Sequence, residues 1–154
     1  MKHKNIFAIL TLSLLSVAPS LHAAACSNAT AAGKWGFSTN GTLIGLGPVG
    51  AVGSFNQDVA GNLVGAQTRS LNGGVADETL TGNVTVNPDC TGAATINVYA
   101  SGTLVRITTL NLVYVNNVRD AHAIFTSLAL QPSGTPLPTV ITVDLTRLFP
   151  KSED

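Results

Sequence analysis

Charge is what this chain has least of. Only 10% of its 154 residues are Asp, Glu, Lys or Arg, and eight of each sign cancel to a formal net charge of +0. Without a basic surplus there is no patch to neutralise phosphates, so nucleic acid is not an expected partner. Aromatic residues make up 5% of the chain, with a single tryptophan, Trp35. That is too few for the aromatic girdles of an outer-membrane barrel. His122 is the only histidine beyond residue 25, and there are only two cysteines, Cys26 and Cys90. A tetrahedral metal site needs more ligands than these, so neither a metal nor a cofactor is expected. No serine sits in a nucleophile-elbow context, and no catalytic residue is assigned.

The first residues are expected to form a leader. Lys2 and Lys4 precede an apolar run from Ile6 to Val17, then Pro19 and the small residues Ala23-Ala24-Ala25. This is the pattern of a secretory signal peptide over residues 1–25. The run is shorter than the roughly 20 residues a membrane helix needs. The expected location is secreted or periplasmic. Cleavage after Ala25 would expose Cys26, for which two fates compete. One is lipid modification, the only route by which a membrane becomes a partner. The other is a disulfide with Cys90, which the even cysteine count of an exported chain favours.

From residue 26 to 154 the sequence reads as one domain. No window there carries a helical period; β-formers alternate with explicit turns. The strands are expected at 33–40, 48–58, 62–71, 75–87, 93–100, 104–116, 121–131 and 139–148. Between them lie hairpin signals such as "AGN" at 60–62 and "NGG" at 72–74, and a longer turn, "NPDCTG", at 87–92. Short links between eight strands describe an all-β, eight-stranded antiparallel up-and-down barrel. Gly50, Gly53, Gly65 and Gly82 fall inside strands, where small barrels bend.

Strand parity then sorts residues between the two ends. With the first strand running upward, the second, fourth and sixth links lie at the bottom. Cys26 and Cys90 meet there, as a disulfide requires. Arg147, at the end of the last strand, arrives beside Trp35, near the start of the first. That geometry suits a cation–π contact and a plugged bottom. Arg69, Asp77 and Glu78, flanking "NGG", and Arg106 fall at the top.

Gly33-Lys34-Trp35 at the first strand, with Arg147 at the last, resembles the calycin barrels such as lipocalins and avidins. The avidin likeness is closest in wording, with Cys26 ahead of Gly33-Lys34-Trp35 and Val143-Asp144-Leu145-Thr146-Arg147 at the far end. The resemblance implies a ligand-binding barrel with Gly33, Trp35 and Arg147 in structural roles. Biotin is not the implied ligand, because avidins build that pocket from several tryptophans and this chain has one. The middle, with Gly47-Pro48 to Gly53, Gly61-Asn62 to Gly65 and Asn87 to Gly92, resembles a group of small exported bacterial proteins, a likeness that supplies no activity.

The expected function is binding of a small, mostly apolar molecule at the open end, with self-association compatible. Arg69, Glu78 and Arg106 are the expected ligand-facing residues. They form either a polar mouth that orients a ligand or an ordinary cross-strand ion pair. Entry is expected between the 42–47 and 132–138 loops. Two other functions compete: a cyclase-type enzyme on an allene-oxide-cyclase or dirigent-like barrel, and a structural or adhesive surface domain. A deep cavity with Arg106 or Glu78 pointing inward would mark the first, and a filled interior the second. Asp120 and His122, two apart beside Arg119, have the composition of an acid–base pair but fall at the bottom, where a surface salt cluster is the simpler reading.

Overall fold

The computed structural model describes residues 26–149. The expected leader at 1–25 and the charged tail from 150 lie outside them. Eight strands run β1 Gly33–Leu43, β2 Gly47–Gln57, β3 Asn62–Leu71, β4 Gly74–Val86, β5 Thr91–Ala100, β6 Thr103–Val115, β7 Asp120–Leu130 and β8 Thr139–Arg147. Each pairs antiparallel with its neighbour, and β1 pairs with β8 to close the barrel in sequence order. Closure leaves no free edge strand.

The hairpins explain the register. Between β3 and β4 the loop is Asn72-Gly73, both with positive φ, so Leu71 faces Gly74. Ser101-Gly102 repeats this pattern between β5 and β6. Such primed turns match the right-handed twist of the strands they join. At the bottom the Asp58 carboxylate accepts from the backbone N–H groups of Ala60 and Asn62, which fixes the β2–β3 turn.

Alternation decides which side chains enter the barrel. In β8, Ile141, Val143 and Leu145 are buried while Val140, Thr142, Asp144 and Thr146 are exposed. Bulges at Val98/Tyr99 and Thr109/Leu110 shift this parity along β6 and its partners. Gly41, Gly53, Gly65 and Gly82 point inward where their strands coil. A Cβ there would collide with the carbonyl oxygens of Val140, Ala66, Ser54 and Thr95 on neighbouring strands. Gly50 differs from the other bend glycines expected from the sequence. A Cβ there would find nothing nearer than Thr39 O at 3.5 Å, so no close approach requires it.

One element escapes the strand pattern. Asn28–Ala31 form a single helical turn, capped reciprocally by Ser27 and Thr30. It is too short to carry a hydrophobic period, and the Ser-x-x-Thr spacing is its only sequence signal. This turn lies under the barrel. Asn28 accepts from Val86 N–H at 2.8 Å, and Trp35 Nε1 donates to Ala31 O at 2.9 Å. The Cys26–Cys90 disulfide, with Cα atoms 5.0 Å apart, ties the segment to the β4–β5 turn.

Candidate functional site

The bottom of the barrel is packed shut. Trp35 is 1% exposed and meets the ring of Tyr114 edge-on, centroids 6.0 Å apart. The Arg147 guanidinium lies 5.4 Å from the Trp35 ring centroid. Its Nη2 donates to Thr30 O at 2.7 Å and Ala32 O at 2.9 Å, so the same side chain closes the helical turn over the tryptophan. Gly33, with φ near +140°, lets the backbone pass beside that guanidinium. Burial pushes the Tyr114 hydroxyl up to about 12, against the opposing charge of Arg147.

Above this floor lies a cavity of about 330 Å³. Its lower lining is apolar: Phe37, Val84, Leu112, Ala123 and Leu145. The upper lining is divided. On the β7–β8–β1–β2 side Leu128, Ile141, Leu43 and Val49 form an apolar cluster with Leu71, Phe125 and Leu137 against it. On the β3–β4–β6 side stand Gln67, Arg69, Glu78 and Arg106.

Glu78 is the centre of that polar wall and is 3% exposed. Arg69 Nε donates to its Oε1 at 3.0 Å, and Arg106 Nη1 donates to the same oxygen at 2.7 Å. Gln67 Nε2 donates to Oε2 at 2.7 Å, and Arg106 Nη2 completes a bidentate pair on that oxygen. A carboxylate has about four acceptor positions, and here four donors occupy them. Burial alone would raise the Glu78 pKa. The hydrogen bonds from Arg106, Gln67 and Arg69, with the Arg106 charge, outweigh it and lower the pKa from 4.5 to about 2.

The structure therefore brings Arg69, Glu78 and Arg106 together inside the upper barrel. There they form an ion-paired cluster centred on Glu78. Asp77 does not join them: it faces outward and accepts from Thr68 Oγ1 at 2.7 Å, because strand alternation separates it from Glu78. Gln67 is the member that sequence reasoning omits. It is directly opposite Glu78 in the β3–β4 register and two residues from Arg69, a parity that would have found it. The 42–47 and 132–138 loops do not flank a gap. Ile44 N–H donates to Pro138 O at 2.9 Å, so they form one continuous rim, with Leu46 and Leu137 turned onto the cavity.

His122 is exposed at the lower end and its partner is Asp144 across the β7–β8 pair, at 2.8 Å, not Asp120. Asp120 instead accepts from Asn116 Nδ2, the main cause of its lowered pKa. The group lies on the outer surface, away from the cavity. Among the described residues no cluster of His, Cys, Asp and Glu has the composition of a metal site.

The fold and its lining define an antiparallel barrel with an apolar interior and one buried charged cluster. No family model matches the chain. No curated protein matches it either. Among solved structures it aligns with Rv2717c from M. tuberculosis, at 15% identity, over 77% of this chain and 93% of that one, with a TM-score of 0.37. That likeness is too loose to carry a functional argument.

Proposed function

We propose that this chain is an exported barrel that binds a small, mostly apolar molecule through its open end. The observation that carries the reading is the apolar cavity, shut below by Trp35, Tyr114 and Arg147 and lined above by hydrophobic side chains with one convergent polar group. Concave apolar sites with a few placed polar groups are the common form of small-molecule pockets. The Cys26–Cys90 disulfide suits an oxidising, extracytoplasmic compartment.

A cyclase-type enzyme in the same cavity is the second reading, favoured by the inward position of Arg106 and Glu78. Glu78 itself is poorly suited to proton transfer near neutrality. Its acceptor positions are filled and its pKa is held at about 2. A purely structural domain is disfavoured by the cavity, since a filled interior would mark it.

The test is titration with the neutral apolar fluorophore N-phenyl-1-naphthylamine. Saturable fluorescence enhancement is expected, and Ala94→Leu, which projects into the cavity from β5, should reduce it while the thermal transition is retained. Absence of enhancement, or undiminished binding in the filled variant, would contradict the reading.

A further inference from the structure

We infer that the molecule taken by this cavity carries one anionic group, held at the upper β3–β6 wall by Arg69 and Arg106, with its apolar body against the β7–β8–β1–β2 side. This rests on the binding reading above and adds the chemical class of the ligand.

The cavity lining contains three charged side chains: Arg69, Arg106 and Glu78. Two cations face one carboxylate, which leaves a surplus of one positive charge inside an otherwise apolar barrel. The carboxylate has no acceptor position left for a ligand, because Arg69, Arg106 and Gln67 fill all four. A cationic or hydroxyl-donating ligand therefore finds no free partner on Glu78. The donors, by contrast, are in excess. A guanidinium has five N–H groups. Arg69 gives Glu78 only its Nε, and Arg106 gives one contact from each Nη. Arg69 and Arg106 keep 20% and 13% of their side-chain surface exposed, whereas Glu78 keeps 1%. The two arginine side chains, which carry the unspent donors, are thus the more accessible part of the cluster.

Glu78 fixes the guanidiniums in position without competing for the ligand. Such preorganised donors bind an anion without first being ordered, and guanidinium–anion hydrogen bonds are among the stronger ones. The opposite wall offers Leu43, Val49, Leu128 and Ile141, and hydrophobic burial there holds the apolar body. A polar wall facing an apolar wall selects an amphiphile over an inorganic anion or a plain hydrocarbon.

Isothermal titration of the full folded protein with a matched series, below micelle concentrations, tests this. The probes are decane-1-sulfonate, decan-1-ol, decyltrimethylammonium and inorganic sulfate. Decane-1-sulfonate should bind about 10- to 100-fold more tightly than decan-1-ol, the gain that one or two charge-assisted hydrogen bonds provide. Decyltrimethylammonium should bind more weakly than the alcohol, and sulfate alone should not saturate. Arg69→Gln should bring sulfonate affinity down toward that of the alcohol, while Arg69→Lys should restore part of the preference. If the alcohol and sulfonate bind equally, or the ammonium is preferred, the anionic assignment is overturned and the apolar binding reading stands. Sulfate binding as tightly as the sulfonate would overturn the amphiphile. If no probe binds, N-phenyl-1-naphthylamine included, both readings fall together.

Discussion

Replacing Glu78 by Gln separates electrostatics from packing at the centre of the barrel. The volume is almost unchanged, but the consequences are not. A carboxamide at this position presents an N–H to donors already aimed at Oε2, from Gln67 and Arg106, and leaves two guanidiniums without their counter-charge. Two routes give the magnitude. Lowering the pKa from 4.5 to about 2 corresponds to about 3 kcal/mol, at roughly 1.4 kcal/mol per tenfold change in proton affinity. Breaking one side of a buried ion pair costs about 3–5 kcal/mol. The partial exposure of both arginines argues for the lower end. The pH dependence has a definite sign. The folded-state pKa is depressed, so the contribution is fully present above pH 4.5 and is lost as the pH falls toward 2. Urea unfolding of the native chain and the Glu78→Gln variant, each at pH 7, 4 and 2.5, measures the gap. About 3 kcal/mol is expected at pH 7, shrinking across the acid range. A gap under about 1 kcal/mol, or one that does not change with pH, would refute the buried-pair reasoning.

Reducing the Cys26–Cys90 bond frees a loop spanning 64 residues and should destabilise by about 4 kcal/mol on the chain-entropy model, checked by melts with and without reductant. Non-reducing mass mapping that found two free thiols, or a lipid on Cys26, would remove the bond altogether. Trp35→Ala should cost about 3–5 kcal/mol by chemical denaturation, since it empties the best-buried large side chain and strands the Arg147 contact. Acrylamide should scarcely quench native Trp35 fluorescence. Arg106→Glu should weaken decane-1-sulfonate binding severely, while Arg119→Glu, at the other end of the barrel, should leave it unchanged; equal effects would detach the site from the upper wall.

Much of this architecture is legible in local chemistry. Turn residues such as Asn72-Gly73 and Ser101-Gly102 dictate hairpins, and hairpins in series dictate antiparallel order. Parity alone then takes Cys26 to Cys90 and Trp35 to Arg147, because both depend only on which end of a strand a residue occupies. The inner and outer sides of a strand are harder to read. Asp77 and Glu78 are adjacent in sequence, yet one bonds Thr68 outside and the other anchors two arginines within. Composition cannot separate them; the register with Gln67 does. The bulges near Val98 and Thr109 shift parity without a glycine or proline to announce them, so the facing of Arg106 depends on pairing across strands. His122 illustrates the same limit. Its nearest carboxylate in sequence is Asp120, but its partner in space is Asp144.

The central claim is that a ligand occupies the interior from the open end, and amide chemical-shift mapping tests it most directly. Titrating isotopically labelled protein with decane-1-sulfonate should shift the amides of cavity-lining residues in the upper half, among them Leu46, Arg69, Val98, Arg106 and Leu128. Those of Lys34, Cys90 and His122, at the lower end, should stay in place. Shifts concentrated at the lower end or along the outward-facing residues, with the upper interior unmoved, would contradict the account.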